Sequence, residues 1–408
     1  MTVSASDVDA ICLRGLLRWL GCGPPSPYKG PVASLRNVDV DALRMWWAIS
    51  AAVGEFVERI LERPREVSPA LDDFRREAFG DLPGPPDAAA SARLQAVTCD
   101  PSAFVVTEMC PTWVSGPNRV LAKTLETARA ALRTAARHVR GSIFEERTRE
   151  RLAMLDRALR IDPIRDLLTK PAGRVNIGPY DRRQAAKART PLYRLSWTCA
   201  SVLAGINALQ PETVADFLAK DILPQMEPWR KFELALLLEA GEALAGATGR
   251  PCVLDAAFVS ERPAATVGEL EIRWQRSIPR RPNLALDEGE RMVNKLAASM
   301  GVTASAARAD ITVQKSGRII SIIECKWFAD VGSAPGAILD ASSQIVGYAR
   351  DAASAQGEGA DEVLARSLVA LADRGSAPAR VGSPIGCVGL SDLGGTVLGP
   401  WAASVVMA

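Results

Sequence analysis

The chain has 408 residues, of which 48% are hydrophobic and 24% charged, enough for a large core and two or three domains. Its formal net charge of +2 shows no overall acidic or basic excess, so any contact with nucleic acid has to come from a local patch. His138 is the only histidine. This excludes zinc hydrolases with histidine ligands, Ser-His-Asp hydrolases, Cys-His proteases and His-Asn-His nucleases.

The cysteines and the first residues of the chain bear on its location in the cell. The eight cysteines form no Cys-x-x-Cys pair and no tight cluster, which indicates reduced thiols and argues against a zinc knuckle or a disulfide scaffold. Residues 1–20 include two aspartates and two arginines among the apolar residues, so they predict neither a signal peptide nor a membrane span. We expect a cytoplasmic protein with no membrane contact.

The N-terminal region is predicted to be helical. Apolar residues recur at helical spacing over residues 6–21 and 40–62, which predicts amphipathic helices. Residues 63–101 are rich in Pro, Gly, Asp and Ala, and this composition predicts a loop or linker. The sequence therefore predicts an N-terminal helical region over residues 1–100 that ends in a Pro/Gly-rich linker.

The middle region, residues 101–224, begins with a strand-like piece at 103–109 and continues as a helical domain with many arginines. Two interpretations of the arginines stay open. They either form a solvated face balanced by interleaved acids or a surface that contacts phosphates. The best candidate for the second is the acid-poor run Arg-Arg-Gln-Ala-Ala-Lys-Ala-Arg at 182–189.

The C-terminal region from residue 225 alternates helices and strands. The patterns predict helices at 229–244, 287–300 and 336–353, strands at 251–260, 268–278, 364–371 and 385–390, and a central hairpin at 309–328. From residue 382 onward only strands and turns are expected. This order predicts an α/β sandwich with a mixed sheet.

The central hairpin has two β-branched strands around Ser316-Gly317. Both faces are largely apolar, so we expect these strands inside a sheet that is covered on each side. Into this setting the sequence places Asp310, Glu324 and Lys326. Ionisable groups buried in this way are costly unless something pairs with them, and a divalent cation bound by both carboxylates would offset that cost.

Whether Asp310 can join Glu324 depends on the register of the hairpin. Glu324 and Lys326 are two residues apart and share a face. A two-residue loop would place Asp310 opposite Ile323 and turn it away from Glu324. An odd-numbered loop centred near Gly317, or an equivalent bulge, would place Asp310 opposite Glu324. We expect the odd loop or the bulge.

A further pair of polar residues follows the hairpin. Gln344 and Tyr348 lie one turn apart on one face of the predicted helix. Together, Asp310, Glu324-x-Lys326 and Gln344-x-x-x-Tyr348 resemble the active-site pattern of the PD-(D/E)xK nuclease superfamily, and the Gln/Tyr pair resembles its RecB-like subset. Alanine stands where the pattern has proline before Asp310, which leaves ligation unaffected because proline supplies no ligand.

A narrower resemblance covers about residues 117–353, which look like the nuclease subunit of McrBC-type modification-dependent restriction systems. That group usually has Asp where this chain has Glu324. Its helix carboxylate maps to Glu233 in the helix Trp-Arg-Lys-Phe-Glu, and Glu290 on the helix before the hairpin is the rival assignment. The resemblance implies a PD-(D/E)xK nuclease domain over residues 225–408.

The resemblance also implies an activity. It implies a metal-dependent DNA endonuclease of a restriction or anti-phage defence system, with Mg²⁺ or Mn²⁺ as cofactor and DNA as substrate. The nuclease subunits of that group work with a separate AAA+ GTPase or ATPase, so the resemblance implies a similar partner here. This chain contains no Gly-x-x-x-x-Gly-Lys-Ser/Thr motif. The implied metal ligands are Asp310, Glu324 and the Cys325 carbonyl, the catalytic amine is Lys326, the additional carboxylate is Glu233, and the residues that hold the scissile strand are Gln344 and Tyr348.

Two alternatives stay open. One is a nuclease-like fold that serves as a non-catalytic DNA-binding or assembly module. The other is a helical scaffold in which Lys326 pairs with Glu324 and Asp310 for structural reasons alone. A scaffold should be indifferent to Mg²⁺, and an enzyme should not. No feature of the sequence assigns a DNA specificity or an oligomeric state.

Overall fold

A computed structural model describes residues 5–20, 26–28, 37–136, 144–169, 177–255, 262–278, 286–300, 307–328, 334–357, 359–374, 377–382 and 384–408. The helices are α1 (Ala5–Trp19), α2 (Asn37–Ile49), α3 (Ala51–Glu62), α4 (Ala88–Thr98), α5 (Gly116–Ala135), α6 (Glu145–Ala158), α7 (Asp162–Thr169), α8 (Pro179–Ala186), α9 (Pro191–Asn207), α10 (Pro211–Phe217), α11 (Pro228–Thr248), α12 (Glu288–Ser299), α13 (Ala334–Gln356), α14 (Ala360–Ala365) and α15 (Gly399–Val406). The strands are β1 (Ala70–Phe79), β2 (Ala103–Thr112), β3 (Cys252–Leu254), β4 (Ala265–Val267), β5 (Leu270–Ile278), β6 (Ala307–Lys315), β7 (Arg318–Lys326), β8 (Leu368–Leu371) and β9 (Gly386–Gly389).

The chain forms two compact units, each built from separate stretches of sequence. The first comprises Met1–Ser50, Ala131–Arg149 and Ala204–Ala408, and the second comprises Ala51–Ala130 and Glu150–Leu203. The division into residues 1–100, 101–224 and 225–408 stays a prediction. Across the described ranges, no helix is both long enough and apolar enough to span a bilayer.

The second unit contains a small sheet, of which the sequence predicted only the second strand, as the strand-like piece at 103–109. β1 and β2 pair antiparallel along their full lengths and form a two-stranded sheet, and α4 lies between them in sequence. α4 starts at the N-cap Asp87, whose side chain accepts a hydrogen bond from the Ala90 amide. The prediction of a loop or linker over residues 63–101 was therefore wrong.

The first unit contains the predicted mixed sheet. Its seven strands lie in the order β3-β4-β5-β6-β7-β8-β9. Neighbours are antiparallel from β3 to β7, and β7, β8 and β9 are parallel. The α/β class and the mixed sheet are confirmed. The hairpin β6-β7 lies inside this sheet, as its apolar residues on both faces predicted.

Helices cover both faces of this sheet. α13 and α14 pack on one face around a core that includes Ile322, Ile345 and Val369. α11 and α15 lie on the other face, where the Trp401 indole nitrogen donates a hydrogen bond to the Ser321 hydroxyl of β7. The sheet is therefore the middle of three layers, and the ends of β6 and β7 lie between α11 and α13.

Two details complete this unit. Glu239 and Glu242 of α11 do not lie on a solvated side of the helix: Glu239 is 3% exposed, and Glu242 is paired with Arg18 of α1 at 2.8 Å. The reason is that α1 packs along α11 and covers that side. The segment after Gly382 was expected to hold only strands and turns, but it ends in the helix α15, which has Pro400 in its first turn.

Candidate active site

The hairpin closes with a two-residue turn. Ser316 and Gly317 have φ angles of 51° and 80°, both in the left-handed region, and Lys315 pairs with Arg318 across them. Two consecutive positive φ angles are typical of a type I′ turn, whose twist matches that of the flanking strands. The odd-numbered loop, one of the two features expected to bring Asp310 opposite Glu324, is therefore not present.

The other expected feature, a β-bulge, is present. Gln314 pairs with Ile319, but Val313 pairs with Ser321, so Ile320 is an extra residue on β7. One extra residue reverses the parity of everything beyond it. Because Ile311 then pairs with Ile323, the register continued by one residue places Asp310 opposite Glu324.

Asp310 is fixed by the neighbouring strand. Its Oδ2 atom accepts a hydrogen bond from the Cys325 amide at 2.8 Å. Burial raises the pKa of the Asp310 carboxyl, and this hydrogen bond and the charge of Lys326 oppose the rise. The Cys325 amide thus holds one of the predicted metal ligands, while the role of the Cys325 carbonyl stays a prediction.

Glu324 is only partly satisfied by its neighbours. The residue is 4% exposed, and its Oε1 atom lies 3.3 Å from Lys326 Nζ. Its Oε2 atom is buried and has no hydrogen-bond partner in the part of the chain that the structure describes. Burial, followed by the charge of Asp310, raises the pKa of Glu324 to about 8, although Lys326 lowers it. A cation bound here would favour the ionised form of Glu324 and give its Oε2 atom a partner.

Lys326 lies between β7 and α13. Its Nζ atom donates a hydrogen bond to Gln344 Oε1 at 2.6 Å and lies 2.8 Å from Asp340 Oδ2. Burial works to lower the pKa of the amine, but the hydrogen bond to Asp340 and the charge of Glu324 outweigh it, so the pKa is raised. Lys326 is therefore a firmly protonated cation in this arrangement.

α13 presents one polar stripe to the hairpin. Gln344 and Tyr348 lie on it as predicted, and the Tyr348 hydroxyl donates to the Arg308 carbonyl at 3.2 Å. Burial, with the charge of Glu324 next in size, raises the pKa of Tyr348. Asp340 continues the stripe, but the sequence analysis missed it. Its position four residues before Gln344 was the signal that could have found it.

Glu233 approaches from α11, on the other side of the sheet. It is 4% exposed, and its Oε2 atom accepts hydrogen bonds from the Trp274 indole nitrogen and, at 3.0 Å, from Gln275 Nε2. Burial raises the pKa of Glu233 to about 8, and the charge of Asp310 is the next cause. The rival residue, Glu290, lies in α12, but its side chain is outside the described part of the chain.

Gln275 has a strained backbone. Its φ angle is 52° within β5, where extended angles are the rule, and the pairing on either side makes it the position facing Asp310. A residue other than glycine held there costs about 1–3 kcal/mol. Arg308 braces it by donating hydrogen bonds to its backbone and side-chain oxygens. A glutamine in a strand gave no signal in the sequence.

The described residues contain no group of three or more Asp, Glu, His or Cys side chains arranged to hold a metal ion. Two carboxylates, those of Asp310 and Glu324, are available to bind a cation directly. Glu233 is not, because its carboxylate already accepts hydrogen bonds from Trp274 and Gln275 of β5. The uncompensated Glu324 Oε2 atom and the hard oxygen donors fit a cation such as Mg²⁺, which keeps several waters and needs only one or two protein carboxylates.

Comparisons with known proteins identify no family. No family model matches the chain, and no curated protein matches it. A solved structure that can be aligned with it is a refined half-complex from the tetradecameric assembly of Thermococcus gammatolerans McrB AAA+ hexamers with bound McrC. The alignment covers 89% of this chain but 63% of that chain, less than two thirds, with 12% identity and a TM-score of 0.25. At this TM-score the likeness carries no argument about fold or function.

Proposed function

We propose that the chain is a metal-dependent DNA endonuclease of the PD-(D/E)xK type. The observation that carries the proposal is the unpaired Oε2 atom of buried Glu324, beside Asp310 and next to the cation Lys326. A structural ion cluster should balance its charges, because a buried polar atom without a partner costs free energy. A buried carboxyl group with a raised pKa and an unpartnered oxygen is typical of a site that binds a cation.

A bound divalent cation would polarise a phosphoryl oxygen and lower the pKa of a bound water. Asp310 and Glu324 would supply its two carboxylate ligands. The hydrogen bond from the Cys325 amide holds Asp310 in place before any ligand arrives. Glu233, anchored by Trp274 and Gln275, would reach the shell through water.

Lys326 contributes charge and not basicity. Its raised pKa makes it a poor proton acceptor near neutral pH, so it is suited to stabilise the negative charge that develops on the phosphoryl group. Gln344 orients the amine through its Oε1 atom. Tyr348 lies one turn further along α13 and would help to place the scissile strand.

The resemblance of the motifs to McrBC-type nuclease subunits extends the proposal to a restriction or anti-phage system. In that setting an AAA+ GTPase or ATPase would drive the nuclease. The absence of a phosphate-binding Gly-x-x-x-x-Gly-Lys-Ser/Thr loop from the sequence agrees with a motor on a separate chain.

A plasmid cleavage assay tests the proposal, with Mg²⁺ or EDTA and with or without a co-encoded AAA+ protein. Lys326→Met keeps most of the side-chain stem and removes the amine, so we expect cleavage to fall by about 10²–10⁴-fold with folding intact. Lys315→Met, at the other end of the hairpin, is the matched control. Cleavage by Lys326→Met at the wild-type rate would refute the assigned role.

Metal binding is tested separately by calorimetry with Mn²⁺. Asp310→Ala removes one of the two carboxylates, so the heat of binding should disappear or the affinity fall by at least about tenfold. Equal binding by wild type and Asp310→Ala, together with no Mg²⁺ dependence of stability, would favour the structural ion cluster instead.

The choice between the two helix carboxylates has its own test. Glu233 interacts electrostatically with Asp310 and is held beside it by β5, so Glu233→Gln should impair cleavage far more than Glu290→Gln. The amide of glutamine keeps the size of the side chain and removes its charge. The reverse order of effects would assign the role to Glu290.

A further inference from the structure

The acid-poor run at 182–189 forms a cationic surface in the second unit. Arg182, Arg183, Lys187 and Arg189 are all exposed. From residue 182 to residue 211 the sequence contains no Asp or Glu. The positive charge of this surface is therefore not cancelled by acids nearby in sequence, unlike the arginines of α6, among which several glutamates lie.

The four cations also lack acidic partners in space among the described residues. Other exposed cations of the same unit are paired, for example Lys123 with Glu126 at 3.0 Å and Arg165 with Asp162 at 2.8 Å. The acid next to the run, Asp181, is buried, and its Oδ1 atom lies 3.4 Å from Arg119. The cationic surface therefore presents uncompensated charge.

The opposite side of α8 is docked firmly. Asp181 accepts a hydrogen bond from the Gly178 amide at 2.9 Å, and Gln184 Oε1 accepts one from the Gly116 amide at 3.2 Å. A Cβ atom on Gly116 would lie 2.8 Å from Asp181 Cα, so the start of α5 approaches α8 at a distance that only glycine permits. Ala185, itself a residue of α8, is fully buried on this docked side. The cations thus project from a rigid base.

We infer that this cationic surface docks the sugar-phosphate backbone of duplex DNA, which rests on DNA being the substrate as proposed above. Uncompensated arginines and lysines on a fixed helix bind phosphates without reading base sequence. A membrane-binding helix would also present a broad apolar face, and here the exposed large apolar side chain is Tyr180 alone among residues 179–189. A duplex backbone is therefore the partner that the surface fits best.

The test is a fluorescence anisotropy titration of a labelled DNA duplex in EDTA, at several salt concentrations. The variant Arg182→Glu/Arg183→Glu/Lys187→Glu reverses the surface. The matched control Arg63→Glu/Lys123→Glu/Arg165→Glu changes the net charge equally at ion-paired positions of the same unit. Each lost phosphate contact lowers the salt dependence, the slope of log affinity against log salt, by about 0.9.

We expect the reversed surface to lower the salt slope by about 2–3 and the affinity by about tenfold or more, and the control to stay within about threefold of wild type. Circular dichroism and the neutral variant Arg182→Gln/Arg183→Gln/Lys187→Gln, which should show a smaller loss, exclude misfolding as the cause. Equal losses in the two triple variants would overturn the inference. Preferred binding of single-stranded RNA or anionic vesicles to this surface would also overturn it.

The outcome can be separated from that of the proposed function. EDTA prevents cleavage, so the anisotropy titration measures binding alone, and the cleavage assay in Mg²⁺ is run on the same wild-type and reversed-surface proteins. Mg²⁺-dependent cleavage combined with unchanged binding by the reversed surface would reject the docking surface only. Docking at α8 with no cleavage under any condition would reject the nuclease only.

Discussion

The chain contains two pairs of antiparallel strands, β1-β2 and β6-β7, that differ in how their charged side chains are compensated. In β1-β2 the apolar Leu71 and Phe74 are 65% and 58% exposed, and Arg76 and Glu108 form an ion pair at 3.1 Å. In β6-β7 the isoleucines are buried on both faces, and one carboxylate oxygen of Glu324 has no hydrogen-bond partner among the described residues. Charged residues in a strand are therefore ordinary where water or neighbouring charges compensate them. They indicate a function where neither does.

The largest expected contrast concerns apolar side chains. Ile323 is fully buried in β7, so Ile323→Ala should lower the free energy of unfolding by about 2–5 kcal/mol through lost burial and the cavity left behind. Leu71→Ala in β1 should change it by about 0.5 kcal/mol or less, because that side chain is mostly exposed. Urea denaturation of both variants measures the difference. If Leu71→Ala lowered the free energy of unfolding as much as Ile323→Ala, the exposed Leu71 would stabilise the fold as a buried side chain does, which would contradict this contrast.

The second contrast concerns pH. Glu233 and Glu324 have pKa values raised to about 8 in the folded chain from an ordinary 4.5, so between these values the folded state binds more protons than the unfolded state. The free energy of unfolding of the metal-free protein should therefore fall as pH rises from about 5 to 8, by on the order of 3 kcal/mol for each of the two groups. Thermal melting across this range, in EDTA, measures it.

Added Mg²⁺ or Mn²⁺ should raise the melting temperature most at the alkaline end, where both carboxylates are ionised. Glu324→Gln should reduce the pH dependence without abolishing it, since the amide does not titrate but Glu233 still does. Asp87→Asn in the second unit is the matched control and should leave the dependence unchanged. A wild-type profile that rises between pH 5 and 8 would contradict the raised pKa values.

The smallest effect is expected at the ion pair of the exposed hairpin. The side chains of Arg76 and Glu108 are 48% and 35% exposed, and pairs of this kind contribute about 0.2–1 kcal/mol. A double-mutant cycle with Arg76→Ala and Glu108→Ala measures the coupling energy, which should shrink at high salt. A coupling of several kcal/mol would remove the distinction between the two hairpins.

The same comparison explains what could be predicted from the sequence. β6 and β7 were recognisable because isoleucine and valine fill both faces, and the glutamate and lysine two residues apart had to share a face. β1 reads Ala-Leu-Asp-Asp-Phe-Arg-Arg-Glu-Ala-Phe, and its many charges hide a strand that lies in a two-stranded sheet. A strand that does not have to bury a face leaves little periodicity to detect.

Within the candidate site, contacts that depend on tertiary structure were beyond the sequence. The hydrogen bond from Gln275 to Glu233 comes from a residue with a left-handed backbone within β5, and glutamine has no preference for that conformation that the sequence could have shown. The ion pair of Asp340 with Lys326 joins a helix to a strand. In contrast, the register of the hairpin could be narrowed in advance to two possibilities. Only an odd-numbered loop or a bulge has the parity that places Asp310 opposite Glu324.

The bulge at Ile320 also limits how this hairpin can change over evolutionary time. Substitutions can alter its side chains one at a time, but a single-codon deletion between the turn and Ile320 would shift the strand by one place and exchange the inward and outward rows beyond it. Asp310 would then face an isoleucine. Lineages that keep Asp310 opposite Glu324 should therefore tolerate length changes here only in pairs of residues, whereas the connecting segment of β1-β2 has no such constraint.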